Sequence, residues 1–225
     1  FPDYSHLHRV PAARDKSAVL PVGIDLHRLD DVSVEERTGL PPVILWNQRW
    51  EYDKAPQDFF RALEALADDG IEFRVVIMGQ SHRQSAPEFE ATREHLGERV
   101  VHFGYATRET YPALLHRSDV VISTAIHEFF GIAILEAIYA RCLPLLPDRL
   151  SYPELIPKPH HDACLYGDFD GLVARLRRAV TNIDAARAAA GELRSSVFRF
   201  DWRAMAPVYD GTFETIAAGS PDFLV

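Results

Sequence analysis

The chain has 225 residues, with 24 Lys or Arg against 33 Asp or Glu and a net charge of −9. At about 150 residues per domain that is one large domain or one and a half, enough to bury a core without a disulfide or structural metal. The acidity, unbroken by any dense Lys/Arg block, argues against non-specific nucleic-acid binding by this segment alone, and no apolar run nears the ~20 residues that span a bilayer, so no membrane contact is expected.

In chain order, residues 1–38 are rich in Pro and charge and hold one apolar run, 18–24, that reads as a strand closed by a turn at Gly23. They are expected to be a lead-in from a further domain. A start at Phe1, without initiator Met or leader pattern, is expected of an excised piece. Then apolar runs of strand length recur at 43–46, 73–78, 100–103, 119–123, 142–146 and 163–166. They are continuous, not alternating, which predicts strands buried on both faces. Between them, 56–67, 87–96, 108–117, 131–140 and 169–180 carry apolar residues at helical period. This alternation predicts an α/β domain over 39–200, a parallel sheet with helices on both faces. An Ala/Arg helix over 184–194 follows, and residues 201–225 are read as a C-terminal helix, introduced at 198–202 and running through Ala217, with its tail. Arg175, Arg177 and Arg178 fall at helical spacing and read as a solvated face. Cys142 and Cys164 fit no metal knuckle and read as buried thiols suited to a reducing, cytoplasmic setting.

In open parallel sheets ligands bind beyond the carboxyl ends of the strands, so the loops after residues 46, 78, 103 and 123 are where chemistry is expected. The stretch Ser123 to Ala137 leaves a buried strand, turns, and opens a helix near Phe130 or Gly131. That sets free backbone N–H groups and a positive helix end at the sheet edge, a place for an anion. Gly131 lets a phosphate or sugar approach the backbone. Glu128 and Glu136 would lie about 80° apart around a helix that reached back to Glu128. Glu136 is flanked by apolar residues and, if buried, requires a partner. After the first strand, Arg49 and Lys54 give one loop two cations suited to a diphosphate, or else they pair with Glu51 and Asp53. Asp168 reads as a helix cap, not a metal ligand. His160 and His161 read as surface residues. Residues 127–131 lack a zinc helix's second His, residues 79–83 lack the closing Gly of a nucleophile elbow, and no motif requires a metal.

Glu128-Phe129-Phe130-Gly131 followed by Glu136 resembles the Glu, seven residues, Glu pattern of family 4 retaining glycosyltransferases of the GT-B type. Residues 20–25 are similar to that family's lead into its C-terminal domain, Arg49 with Lys54 to its phosphate pair, and 102–105 to the turn flanking the base. The run Trp46-Asn47-Gln48-Arg49-Trp50-Glu51-Tyr52-Asp53-Lys54, with Asp119 to Ala125, Tyr152-Pro153-Glu154 and Phe200-Asp201-Trp202, resembles the tRNA-queuosine α-mannosyltransferase subgroup. Gln48 stands where most family members carry Gly.

The resemblance implies a Rossmann-like sheet, the C-terminal half of a GT-B enzyme, that binds a nucleotide-sugar donor, GDP-mannose in the subgroup, and needs no cofactor. It implies that Arg49 and Lys54 bind the diphosphate, Glu136 the ribose, and Glu128 the transferred hexose. The Phe130, Gly131 and Ile132 backbone would meet sugar or phosphate, Gly104 and Tyr105 the base, and Thr124 the donor. It further implies an N-terminal acceptor domain outside this chain, tRNA as acceptor of the whole protein, and a fragment that binds donor but transfers poorly alone. Rival readings are a transferase using another nucleotide sugar on a glycan or lipid, a glycoside hydrolase using Glu128 and Glu136, and a non-catalytic nucleotide-binding module.

Overall fold

The continuous apolar runs become a sheet whose inner strands are buried on both faces. The run at 100–103, expected to be buried likewise, instead forms an edge strand that is only half-buried along its length, because it has a neighbour on one side alone. The computed structural model describes residues 6–30, 32, 39–79 and 87–219. Their order is α1 (Val10–Arg14), β1 (Val43–Asn47), α2 (Pro56–Asp68), β2 (Arg74–Met78), α3 (Pro87–Leu96), β3 (Val100–Gly104), α4 (Thr110–Arg117), β4 (Val120–Ile122), α5 (Ile132–Tyr139) and β5 (Leu143–Pro147). After these come α6 (Tyr152–Leu155), α7 (His161–Cys164), β6 (Leu165–Tyr166), α8 (Phe169–Thr181), α9 (Ile183–Leu193) and α10 (Trp202–Ala217). The six strands form one parallel sheet in the order β3-β2-β1-β4-β5-β6. The expected α/β architecture is therefore the observed one.

The chain divides into two compact units, residues 26–198 and residues 1–25 with 199–225. The sequence reading placed its boundaries at 38/39 and 200/201. The larger unit carries the sheet. Its core joins Ile44, Leu45 and Trp46 of β1, Val75 to Ile77 of β2 and Val120 to Ile122 of β4, all buried, to Phe59, Leu63 and Leu66 of α2. Burying each such side chain contributes about 1.5–3 kcal/mol. Trp46 stacks on Phe59 with centroids 5.7 Å apart, and Trp50 on Phe89 at 4.4 Å. Two aromatics of the run that carried the narrower resemblance thus belong to the core.

Local rules account for the ends of the elements. Pro56 opens α2, where its missing N–H costs nothing. Asp168 caps α8 by accepting from Gly171 N at 2.7 Å, as read from the sequence. The expected strand at 163–166 shrinks to Leu165–Tyr166, which pair with Leu146 and Pro147, while 163 and 164 finish α7. Cys142 and Cys164 are free and buried, and burial pushes the Cys164 thiol up to about 12.

In the smaller unit, the run 18–24 corrects the expected strand. It makes one parallel bridge, Ile24 with Asp201, in which Ile24 N donates to Phe200 O at 2.8 Å and Trp202 N to Ile24 O at 2.9 Å. Pro21 has no N–H to extend the ladder, and Val19 is exposed. Asp201 caps α10 through Arg203 N at 2.9 Å.

The order of strands fixes where a ligand fits. From β1 the chain moves outward through β2 and β3, then returns to place β4 on the other side of β1. At that reversal the connections after β1 and β4 run to different helices, α2 and α5, and the crevice at their carboxyl ends is where ligands bind in sheets of this kind.

Candidate functional site

The loop of residues 48–55 and the loop of residues 123–131 meet at this crevice and are stitched together. Thr124 Oγ1 donates to Lys54 O at 2.7 Å, and the N–H groups of Ile126 and His127 donate to Asp53 O at 2.8 and 3.2 Å. Ala55 takes a left-handed φ of 42°, which turns the chain into α2 and leaves Lys54 facing the second loop. Lys54 Nζ donates to His127 O at 2.7 Å, lies 3.2 Å from Glu128 Oε2 and 3.5 Å from Asp53 Oδ2. Its side chain is only 7% exposed, and an ammonium so buried requires such partners.

Glu128 faces the helix start as well. Its Oε1 accepts from Phe129 N at 3.0 Å and Phe130 N at 3.4 Å. Gly131, at φ 103°, caps α5. The next N–H groups, of Gly131, Ile132 and Ala133, have no acceptor among the described residues. They point an unspent positive helix end at the crevice. Because α5 begins only at Ile132, the 80° helical angle expected between Glu128 and Glu136 does not apply, and Glu128 belongs to the loop.

Arg49 stands outside this packed pair. Its side chain is 57% exposed and 3.6 Å from both Glu51 and Asp53. The alternative left open by the sequence resolves unequally: Arg49 makes the surface pairs, whereas Lys54 is drawn inside. Exposed pairs at that distance contribute about 0–1 kcal/mol and yield easily to a stronger anion.

Glu136, on the buried face of α5, has the partners its burial demands. Arg28 Nη2 pairs with Oε1, and Tyr111 OH donates to Oε2 at 2.7 Å. Asn47 Nδ2 donates to Ala133 O at 2.9 Å and reaches Tyr111 OH at 3.4 Å. Burial first, then the neighbouring Glu136 charge, holds the Tyr111 hydroxyl well above its ordinary value, so it stays a donor. Arg28 is delivered by the short turn His27–Leu29, anchored where His116 Nε2 donates to Leu29 O at 2.8 Å and Tyr139 OH to Asp30 at 2.8 Å.

Beside this network lies a cleft of about 390 Å³, lined by Arg28, Tyr105, Thr107, Arg108 and Tyr111 among others. That volume falls in the range of about 300–1,000 Å³ usual for small-molecule sites. Tyr105 is exposed there, whereas the Gly104 carbonyl is taken by Gly79 N at 3.0 Å and His102 Nε2 at 3.2 Å. Arg28, Tyr111 and Asn47 were not singled out from sequence: Arg28 fell in the lead-in and Tyr111 on an ordinary amphipathic helix. Near the crevice, Asn47 Oδ1, both amide atoms of Gln48 and the indole N–H groups of Trp46 and Trp50 are buried and have no hydrogen-bond partner among the described residues.

Other motifs stay apart from the crevice or outside the described residues. Residues 80–83 of the rejected elbow pattern lie outside them. His161 Nε2 donates to Ile156 O at 2.8 Å, a local brace. No group of three or more His, Cys, Asp or Glu side chains is disposed to hold a metal ion among the described residues. Nor is any helix there long and apolar enough to cross a membrane.

A doubly wound parallel sheet, with a buried cation, unspent helix amides and two partnered carboxylates at its reversal, makes this a Rossmann-like domain. The chain belongs to the glycosyl transferases group 1 family, whose model matches residues 31–190. It is 41% identical over 133 residues, 59% of this chain and 34% of the relative, to a tRNA-queuosine alpha-mannosyltransferase of Drosophila melanogaster. It is 26% identical over 189 residues, 81% of this chain and 48% of the relative, to a GDP-mannose-dependent alpha-(1-6)-phosphatidylinositol dimannoside mannosyltransferase of Mycobacterium tuberculosis. A sucrose-phosphate synthase structure from Thermosynechococcus elongatus superposes with a TM-score of 0.72 at 19% identity, over 90% of this chain and 53% of that one. The chain thus spans between a third and a half of the length of these curated relatives.

Proposed function

We propose that this chain is the donor-binding domain of a retaining glycosyltransferase that passes mannose from GDP-mannose to queuosine in tRNA. The observation that carries the reading is the arrangement around Lys54, a buried ammonium 3.2 Å from a loop carboxylate and beside the free amides that open α5. The names of the Drosophila and mycobacterial relatives support the mannosyl donor, and the former supports the acceptor.

In this reading Lys54 and the Phe130 to Ile132 backbone receive the diphosphate, and Arg49 swings from its weak surface pairs to complete the clamp. Glu128 then serves the hexose hydroxyls and Glu136 the ribose diol, since carboxylates accept from vicinal hydroxyls. Thr124, whose hydroxyl bonds the Lys54 carbonyl, serves the donor by holding the loop that carries Lys54. Tyr105, in the wall of the cleft, offers a ring to the base, and Gly104 turns the chain toward it. The domain's catalytic share is the stabilisation of the departing nucleoside diphosphate by cations and amides already in place. Acceptor binding falls to a second domain of the whole protein, and the present chain alone binds donor but transfers poorly. The mycobacterial relative supports a second reading with the same donor and a phosphatidylinositol-linked acceptor.

Calorimetric titration with GDP, UDP, ADP and their sugars, with Arg49→Ala as control, tests the donor. Selective GDP binding, weakened about tenfold to a hundredfold in the control, is expected. UDP or ADP selectivity would remove GDP-mannose while keeping the transferase reading.

A further inference from the structure

We infer that Tyr111 and Arg28 position the Glu136 carboxylate to read a ribose diol, and that they thereby set a preference for ribo- over 2′-deoxyribonucleoside diphosphates. This rests on the donor-site reading above and deepens it by naming what makes the nucleotide site selective.

The geometry is that of a carboxylate held at both ends. Arg28 Nη2 occupies Oε1 and Tyr111 OH occupies Oε2, at 2.7 Å for the latter. A carboxylate has about four acceptor positions, so one remains on each oxygen. Two acceptors side by side on a fixed plane match two vicinal hydroxyls. A free Glu side chain would not keep that plane, because its last torsion is broad and roughly two-fold. The holders are themselves held. Tyr111 OH is approached by Asn47 Nδ2 at 3.4 Å, and that amide is oriented by its 2.9 Å bond to Ala133 O at the start of α5. The network therefore hangs between β1 and the helix whose free amides face the crevice. Burial and the Glu136 charge keep the Tyr111 hydroxyl protonated at any working pH, so it is always a donor to the carboxylate.

Arg28 and Tyr111 also both line the 390 Å³ cleft that Tyr105 and Thr107 share, which puts the fixed carboxylate's partners in the wall a nucleoside would touch. The arrangement is poorly explained as a stabilising ion pair. Glu136 sits among Ile134, Leu135, Ala137 and Ile138, all buried, and buried ion pairs are commonly no better for stability than apolar side chains of similar volume. Among the described residues Arg28 pairs with Glu136 alone, and it keeps its side chain 40% exposed, which suits a group facing ligand more than a core strut.

The test titrates the 225-residue chain and its Tyr111→Phe, Arg28→Met and Arg28→Lys variants with GDP, UDP, their 2′-deoxy counterparts and inorganic pyrophosphate. The unaltered chain should bind the preferred ribonucleotide about tenfold more tightly than its 2′-deoxy form, the size of one hydrogen bond to a charged group. Tyr111→Phe and Arg28→Met should cut that preference to about threefold or less, Arg28→Lys should restore part of it, and pyrophosphate affinity should stay unchanged throughout. Equal weakening of pyrophosphate and both nucleotide forms, with a lowered melting temperature, would mean a merely structural role and overturn the inference. A preference intact in Tyr111→Phe and Arg28→Met would overturn it while leaving the donor site standing. Failure of the unaltered chain to bind any ribonucleotide would overturn the donor-site reading and this inference together.

Discussion

Lys54 Nζ and Glu128 Oε2 lie 3.2 Å apart, and the other oxygen of Glu128 accepts from the amides of Phe129 and Phe130. Without ligand, the Glu128 carboxylate thus occupies cations and donors of the kind a diphosphate would use. Two unit charges 4 Å apart interact by about 4 kcal/mol at an effective dielectric near 20, before desolvation is subtracted. Glu128→Gln keeps the shape and removes the competing charge. It is expected to tighten binding of the bare nucleoside diphosphate about threefold to tenfold while lowering sugar transfer by the whole enzyme at least about a hundredfold. Calorimetry and a turnover assay read the two effects separately. A loss of nucleotide affinity in this variant would mean that Glu128 supports the anion instead of standing in for it.

Arg49 and Lys54 should behave differently on truncation. Arg49 is more than half exposed with weak pairs, so Arg49→Ala should leave the melting temperature nearly unchanged and weaken nucleotide binding about tenfold to a hundredfold. Lys54→Ala strips the buried partner of Glu128 and of the His127 carbonyl, so it should lower stability as well as binding. Thermal melts with and without GDP separate the two cases. Equal loss of stability in both variants would contradict the unequal burial as its cause.

The strands were legible because burial on both faces leaves an unbroken apolar run, as at Ile44 to Trp46 and Val75 to Met78. The carboxyl ends of the strands could be named as the place for a ligand, but not which two of them form the crevice, since strand order depends on pairings between distant segments. Arg49, Lys54, Glu128 and Glu136 could be placed by their distance from strand ends. What the sequence could not show was pairing across long separations. Nothing local ties Arg28 to Glu136 or Tyr111 to Asn47, since each contact depends on how a turn and a helix lie over a third element. The run 18–24 misled for the same reason: its composition suits a strand, but a strand exists only if a neighbour supplies the ladder.

Gly131 is expected to resist substitution. Its φ of 103° lies where an L side chain is strained, and an added Cβ would stand 3.1 Å from Leu155 Cδ1. Gly131→Ala should therefore cost about 1–3 kcal/mol. It should also weaken pyrophosphate binding by shifting the amides that follow it. Denaturant melts and pyrophosphate titration check the two effects. Unchanged values would show that the loop relaxes freely and that its amides are not held in place.

Stability should fall on the alkaline side. Burial raises the hydroxyls of Tyr111, Tyr152 and Tyr166 above their ordinary value and pushes the Cys164 thiol up to about 12. Each is neutral when protonated, and the unfolded values lie near about 10 for Tyr and about 8.5 for Cys. A folded value above the unfolded one favours the folded state fully below the unfolded value, and that advantage is lost as pH rises through the folded one. The melting temperature should accordingly hold between pH ~7 and ~8 and decline from about pH 9 upward as the unfolded chain sheds these protons. The same burial predicts that neither Cys142 nor Cys164 reacts with a thiol reagent at pH ~8 until denaturant is added, since only the thiolate attacks. Melts across this range and a timed thiol titration check both. A melting temperature still flat at pH ~11, or two thiols titrating promptly in the native chain, would show that these groups are not shielded as the fold places them.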